Sequence, residues 1–352
     1  RDHLLHFPYQ RFDYVAQLLE EAARDEGVTE ICITLYRIAT NSRIAQALLD
    51  AVQRGKRVFV FMEIKARFDE ETNLRWAERL MDAGATIAYS IPGLKVHAKC
   101  YLITRREGTS GRLYAYLGTG NFNEKTATLY CDHGLFTADP DMVSDVSQVF
   151  ALLKGEQLSP EFNTLLVARF NLRSGINARI KREIAFAKQG RPASIIMKMN
   201  SLEDPKIARL LHDAALAGVC VKLIVRGICI LAPDARSDEG ALSAISIIDR
   251  YLEHARVYIF GNAGQEEIWL ASADMMRRNL NRRIEVAFPL RDDALRAQVR
   301  RIIDLHLADS LKARKLTAAM SNEYEYQAAD EPLRAQTEIY RYLTSESTEN
   351  ID

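Results

Sequence analysis

Two histidines, each two residues ahead of a basic side chain, are where residue type and spacing in this 352-residue chain first suggest chemistry. They lie in Lys95-Val96-His97-Ala98-Lys99 and Leu252-Glu253-His254-Ala255-Arg256. Imidazole has an ordinary pKa of about 6.5, so a neutral ring nitrogen is available as a nucleophile at cell pH. It can attack phosphorus, hold the phosphoryl group and release it, dividing one difficult displacement into two. A cation two positions on shares a strand face with the histidine and offers donors to phosphate oxygens, the role assigned to Lys99 and Arg256. A lone histidine at a strand start is commonly just a satisfied core or surface residue. Two in matching places make His97 the candidate nucleophile and His254 its counterpart.

Small and polar loops follow both motifs. Leu117-Gly118-Thr119-Gly120-Asn121-Phe122-Asn123 lets backbone N–H groups and the Asn121 amide approach an anion, and residues 272–279, ending in Arg278-Asn279, stand in the corresponding place. Either loop alone is also a plain turn. Arg37, Lys65, Arg67, Lys198 and Arg226 fall at or just beyond the carboxyl ends of strand-like runs, where ligands of parallel sheets bind and where a guanidinium suits bidentate phosphate contact. In Tyr130-Cys131-Asp132-His133, Asp132 is a candidate orienter for a catalytic imidazole, and His133 is a competing nucleophile without a counterpart in the second half. Arg282 and Arg283 beside Glu285 read equally well as a structural ion-pair network.

The elements that must position these groups alternate. Helical periodicity over 12–25, 42–52 and 73–83 is interleaved with strand-like runs at 29–36 and 57–64. The second half repeats the order: helix 174–189, strand 193–199, helix 205–216, strand 219–226, then strands near 244–248 and 256–260. Such alternation predicts an α/β fold of two tandem domains, each a mixed, largely parallel sheet flanked by helices. The repeated order is an internal duplication. It places a first domain at 1–157, a second at 158–318, and a helical or flexible tail at 319–352.

Composition sets the frame around these motifs. Hydrophobic residues make up 48% and charged residues 27%, the balance of a soluble globular protein. Lys plus Arg and Asp plus Glu both number 47, which gives no support to nucleic-acid binding by bulk charge. No apolar run approaches the roughly 18 residues of a membrane span. The start, Arg1-Asp2-His3, has neither initiator Met nor signal-peptide pattern, so a fragment of a longer cytoplasmic protein is expected, with peripheral attachment at the inner membrane face left open. The five cysteines show no CxxC spacing and read as buried reduced thiols, and no His/Cys cluster has zinc-ligand spacing.

Longer strings now carry a resemblance. Thr34-Leu35-Tyr36-Arg37, residues 63–70, 95–99 and 117–121, with 198–202, 225–229 and 251–254, together resemble bacterial polyphosphate kinases. The resemblance extends to about residue 318 and corresponds to that family's two C-terminal domains, which are similar to the phospholipase D fold with its paired His-x-Lys motifs. It implies reversible transfer of the ATP γ-phosphate to inorganic polyphosphate through a phosphohistidine at His97, with Mg²⁺ as cofactor and a homo-oligomer in the full-length protein. By matching position it implies His254 as partner acid/base or second phosphate-site histidine, Asp132 as helper of His97, Tyr130 at the nucleotide phosphates and Arg226 on phosphate. Arg37 and Arg67 match positions near the magnesium. A guanidinium has no lone pair to give a cation, so they read as phosphate clamps beside it. Lys65, Lys99, Lys198, Arg226 and Arg278 are the candidate lining for a polyanion. Arg169, Met275, Asn281 and Ile230 depart from the family's expected residues.

Two other functions compete. A phospholipase D-type phosphodiesterase would carry an aspartate five residues beyond the motif lysine, where this chain has Thr104 and, in the second half, Gly261. A chain lacking the family's N-terminal and helical domains would bind polyphosphate without turnover.

Overall fold

The computed structural model describes residues 1–63, 70–89, 95–108, 110–231, 241–319, 322–325 and 332–349. Two compact units make up the chain: Arg1–Leu172 with Asn281–Phe288, and Arg173–Leu280 with Pro289–Asp352. Segment 281–288, which follows the second histidine by some thirty residues, thus returns to the first unit.

The first unit opens with β1 (His3–Phe7), α1 (Asp13–Arg24), β2 (Val28–Leu35), α2 (Arg43–Gln53), β3 (Arg57–Met62), α3 (Glu70–Ala83) and β4 (Thr86–Tyr89). It continues through β5 (Lys95–Val96), β6 (Lys99–Glu107), β7 (Ser110–Gly118), α4 (Glu124–Ala127), β8 (Tyr130–Thr137), α5 (Pro140–Lys154) and β9 (Leu166–Val167). Strand order is β1-β8-β7-β6-β2-β3-β4. Pairing is parallel across β2-β3-β4, where helices intervene, and antiparallel from β2 through β6, β7 and β8 to β1. The sheet is therefore mixed, and the helix-crossover half is the parallel half.

Local sequence accounts for these elements. Ser42 caps α2 by accepting from the Ala45 N–H, and Asp139 with Pro140 starts α5, which ends on left-handed Gly155. The inner faces of α1, α2 and α3 bury Leu19, Leu48 and Leu80 against Ile31, Ile33, Val58 and Val60 of the strands.

Helix α6 (Leu172–Lys188) leads into the second unit, with β10 (Ser194–Met199), α7 (Pro205–Leu216), β11 (Cys220–Val225), β12 (Leu242–Ile247), β13 (Leu252–Glu253), β14 (Arg256–Phe260), β15 (Glu267–Ala271) and α8 (Arg277–Arg282). After β16 (Arg283–Ile284) and β17 (Val286–Pro289) come α9 (Asp293–Leu307), β18 (Ala313–Lys315) and α10 (Ala335–Glu349). Its strands run β18-β12-β11-β10-β14-β15, again parallel across β10-β11-β12 and antiparallel beyond. The duplicated order is thus visible in pairing as well as in sequence. The tail contributes a packed helix: Ala335, Ile339 and Leu343 of α10 are buried.

All five cysteines are unbridged thiols. Cys32, Cys100 and Cys131 are buried as expected, but Cys220 is exposed and Cys229 half-buried. Cys220 opens β11, whose outward positions alternate with buried ones, so it shares the solvent face with Lys222.

Candidate active site

His97 sits between β5 and β6, and its backbone is fixed first. The N–H groups of His97 and Ala98 both donate to the Ile284 carbonyl, at 2.8 and 3.0 Å, beside the two-residue parallel pairing of β5 with β16. That pairing delivers Glu285. Nδ1 of His97 lies 2.9 Å from Glu285 Oε2, with 12% of the imidazole and none of the carboxylate exposed. Arg283 stands 3.7 Å from the other Glu285 oxygen. Lys99 is buried and donates to the His97 carbonyl at 2.6 Å. The Tyr36 ring meets His97 edge-on at 5.1 Å, and the Lys99 ammonium and Arg37 guanidinium lie 5.8 and 5.9 Å from that ring's centre.

Electrostatics follow from this geometry. Burial, helped by Lys99 and Arg283, takes the His97 imidazole from 6.5 down to about 3, against the opposing pull of Glu285. Burial alone would raise the Glu285 carboxyl, but His97, Lys99 and Arg283 hold it below its ordinary value. An ionised Glu285 can only accept, so the proton of a neutral His97 resides on Nδ1 and the lone pair on Nε2.

The loop after β7 is pinned to β8. Thr119 Oγ1 donates to Asp132 Oδ1 at 2.6 Å and accepts from the His133 N–H at 2.9 Å. A Cβ at Gly120 would lie 2.3 Å from Asp132 Oδ2, so only glycine lets the loop approach this closely. Asn123 caps α4, while the buried Oδ1 of Asn121 makes no hydrogen bond among the described residues. Tyr130, half-buried, begins β8. Asp132 is thereby part of the loop's anchor, and the carboxylate on His97 Nδ1 is Glu285. His133 is a core residue: its Nδ1 is 2.8 Å from His6 Nδ1, and both rings are buried.

In the second unit His254 lies between β13 and β14. The Arg256 guanidinium comes within 3.2 Å of His254 Nε2 and pairs with Asp274 at 3.1 Å. Burial acts to raise the Asp274 carboxyl, yet Arg256 and the Asn200 N–H bring it to about 2. Asn200 donates to the His254 carbonyl and accepts from Arg226 at 2.6 Å, and Arg226 also donates to the Glu253 carbonyl. Lys198 is buried, its ammonium 3.0 Å from Glu253, which also holds His306 and Gln336. It belongs to a core ion pair, where it supports β10 and β13. Arg278 is exposed and makes no ion pair among the described residues.

Of the residues expected at the site, His97, Lys99 and Arg37 gather around Tyr36, and His254, Arg256 and Arg226 gather around Asn200. Lys65 and Arg67 lie outside the described residues. Sequence assigns no site role to Tyr36, Asn200 or Asp274, and reads Glu285 only as an ion-pair partner of Arg282 and Arg283, of which the Arg283 pair is present. The duplication held a usable signal for Glu285, which follows the second small-polar loop as Asp132 follows the first. Among the described residues no group of three or more His, Cys, Asp or Glu could hold a metal ion. Arg37 has no lone pair to offer one.

Comparison with known proteins places this architecture. Residues 1–159 match the polyphosphate kinase C-terminal domain 1 and residues 165–336 the polyphosphate kinase C-terminal domain 2. Polyphosphate kinases of Salmonella typhimurium and Escherichia coli are each 45% identical over 345 residues, covering 98% of this chain and 50% of the relative. The crystal structure of polyphosphate kinase from Porphyromonas gingivalis superposes with a TM-score of 0.93 at 44% identity, over 99% of this chain and 53% of that one. A phosphatidylserine synthase from Haemophilus influenzae shares the fold alone, with a TM-score of 0.63 at 10% identity over 99% of this chain and 94% of that one. The chain spans about half the length of the curated relatives it matches. Two matched domain models and identity near one half establish that the chain belongs to the polyphosphate kinase family.

Proposed function

We propose that this chain carries the site at which a polyphosphate kinase moves the γ-phosphate of ATP reversibly onto inorganic polyphosphate, through a phosphohistidine at His97. The observation supporting it is the His97–Glu285 pair, a neutral imidazole with its proton committed to a buried carboxylate. Attack by Nε2 forms the N–P bond as the bond from γ-phosphorus to the bridging oxygen breaks and ADP leaves. The ring gains positive charge in that step, and Glu285 is already placed to meet it. A terminal polyphosphate oxygen then attacks the same phosphorus, and the N–P electron pair returns to Nε2. The Nδ1 proton stays in place throughout. What remains is positioning and charge neutralisation. Arg37, Lys99, Asn121 and Tyr130, with Lys65 and Arg67 by sequence, are the proposed phosphate contacts of the first half. Arg226 and Arg278 are those of the second, where His254 is the proposed proton donor or acceptor.

The family implies Mg²⁺, which when bound to the nucleotide would offset phosphate charge. The described residues do not fit a protein-held ion, since no three His, Cys, Asp or Glu among them are grouped to hold one and Arg37 cannot ligate.

Incubating full-length protein with γ-³²P-ATP tests the proposal. Acid-labile label should appear and should vanish in His97→Ala, whereas undiminished labelling of that variant would falsify it. Because the chain covers half of its relatives, a second reading applies to these 352 residues alone: polyphosphate binding without turnover. Binding unaccompanied by ATP formation from ADP would favour it.

A further inference from the structure

Arg37 is the cation nearest the Tyr36–His97 ring pair that comes from the end of β2, and a cation there is useful only if its backbone is held still. The chain leaves β2 at Leu35 and bends through Tyr36 and Arg37 without strand pairing of its own. Something other than the sheet must fix that bend.

Helix α3 supplies it. Asn73, in its first turns, is completely buried. Asparagine is a poor helix-interior residue and costly to bury unless its amide is satisfied. Here all three of its strong functions are used. Oδ1 accepts from the Ile38 N–H at 3.2 Å, while Nδ2 donates to the Tyr36 carbonyl at 3.0 Å and to the Glu63 carbonyl at 3.1 Å. Turning the amide over would set a donor against an N–H and an acceptor against two carbonyls, so the orientation is unambiguous.

The partners are telling. Tyr36 and Ile38 flank Arg37, so one side chain grips the backbone on both sides of the cation. Glu63 follows the last residue of β3, and its N–H donates to the Leu35 carbonyl at 3.0 Å. The same amide therefore ties the exit of β2 to the exit of β3, and Lys65 and Arg67 follow Glu63 in sequence. One helical turn on, the Trp76 indole N–H donates to the Ala39 carbonyl at 3.2 Å. Residues 73 and 76 share a helix face. That face grips Tyr36, Ile38 and Ala39 in succession.

We propose that Asn73, seconded by Trp76, is a positioning residue for phosphoryl transfer: it sets the Arg37 backbone against the His97 site. The proposal rests on the functional reading above. It predicts coupling, because a residue that acts through Arg37 has nothing to position once the guanidinium is gone.

The test is a double-mutant cycle in the full-length protein, read as the rate of His97 labelling from γ-³²P-ATP. Asn73→Asp keeps the shape and the Ile38 acceptor but turns an oxygen toward the two carbonyls that Nδ2 served. It should slow labelling by about tenfold, as should Arg37→Ala, and the double variant should be within about twofold of Arg37→Ala alone. Trp76→Phe keeps the ring and removes only its donor, and should show a smaller loss that likewise disappears in the Arg37→Ala background. It keeps the test open if Asn73→Asp does not fold. Multiplying losses in the double variants would overturn the proposal, as would unchanged rates in Asn73→Asp or, should that variant not fold, in Trp76→Phe. A normal rate in Arg37→Ala would overturn it by removing the phosphate clamp it serves. Persistent label in His97→Ala is the separate result that sinks the functional reading itself.

Discussion

The two repeats start a strand with the same His-x-cation pattern and turn that cation differently. His97 has a buried carboxylate on Nδ1, and its cation, Lys99, is turned to the His97 carbonyl. His254 has a guanidinium 3.2 Å from Nε2, and that guanidinium is in turn clamped by Asp274. A carboxylate on Nδ1 leaves the other nitrogen's electron pair for attack, whereas the Arg256 guanidinium lies 3.5 and 3.2 Å from the two His254 nitrogens and makes a positive charge on that ring more costly. Under the proposed function His97 is the nucleophile, and His254, whose ring meets a guanidinium, is its acid/base partner. Tertiary partners decide this, since the local motif is shared.

The largest expected effect tests that asymmetry directly. His97→Ala should lose all acid-labile label, while His254→Ala should still be labelled and show slowed turnover, by about 10²-fold or more if it acts as acid or base. Equal loss of label in both would erase the distinction. Glu285→Gln comes next. The amide keeps the shape but not the charge that meets an imidazolium, so labelling should slow on the order of a hundredfold with folding intact. The carboxylate that clamps Arg256 beside His254 should invert that pattern. Asp274→Asn leaves Arg256, 4% exposed, without its counter-charge and should cost about 3 kcal/mol in urea denaturation.

Acid should also separate the halves. His97 is held below its ordinary 6.5, so in the interval down to about 3 the unfolded chain takes up a proton that the folded chain refuses. Its contribution to stability is complete above 6.5 and is lost as pH falls. Asp274 is lowered from 3.8 to about 2, so its contribution is complete above 3.8 and lost below that. Denaturation midpoints should thus begin to fall between pH 6 and pH 4 in the wild type and fall less in His97→Gln. An identical slope in the two would contradict the burial of a neutral His97.

The order of strands and helices was legible because periodicity and caps are local: Ser42, Pro205 to Leu216 and Arg256 to Phe260 fall where sequence places them. The histidine pair was legible through repetition. Repetition marks Glu285 as the match of Asp132 but does not pair it with His97, because it is 188 residues away and reaches it on a segment that crosses back to the first unit. Asp132 was the expected orienter on proximity to the Gly118–Asn123 loop, and it is that loop which it anchors. Lys198 read as an open cation at a strand end. Nothing in its neighbourhood signals that Glu253, fifty-five positions on, takes its charge into the core.

The smallest expected effect compares Tyr101 and Tyr258, each two residues beyond its repeat's cation. Both are fully buried. The Tyr258 hydroxyl donates to the Ala273 carbonyl at 2.5 Å, on the loop that carries Asp274. The Tyr101 hydroxyl, packed among the rings of Tyr116 and Phe122, has no hydrogen-bond partner among the described residues. A buried hydroxyl without a partner carries its desolvation cost unrelieved, whereas a bonded one stabilises by about 1 kcal/mol. Tyr258→Phe should therefore lower stability by about 1 kcal/mol and loosen the second loop. Tyr101→Phe should be neutral or stabilising by up to about 1 kcal/mol, since the ring packing is kept. Paired urea titrations read both. Equal destabilisation would mean that Tyr101 has a partner in solution, such as an ordered water, and that the two repeats are more alike beneath their histidines than at them.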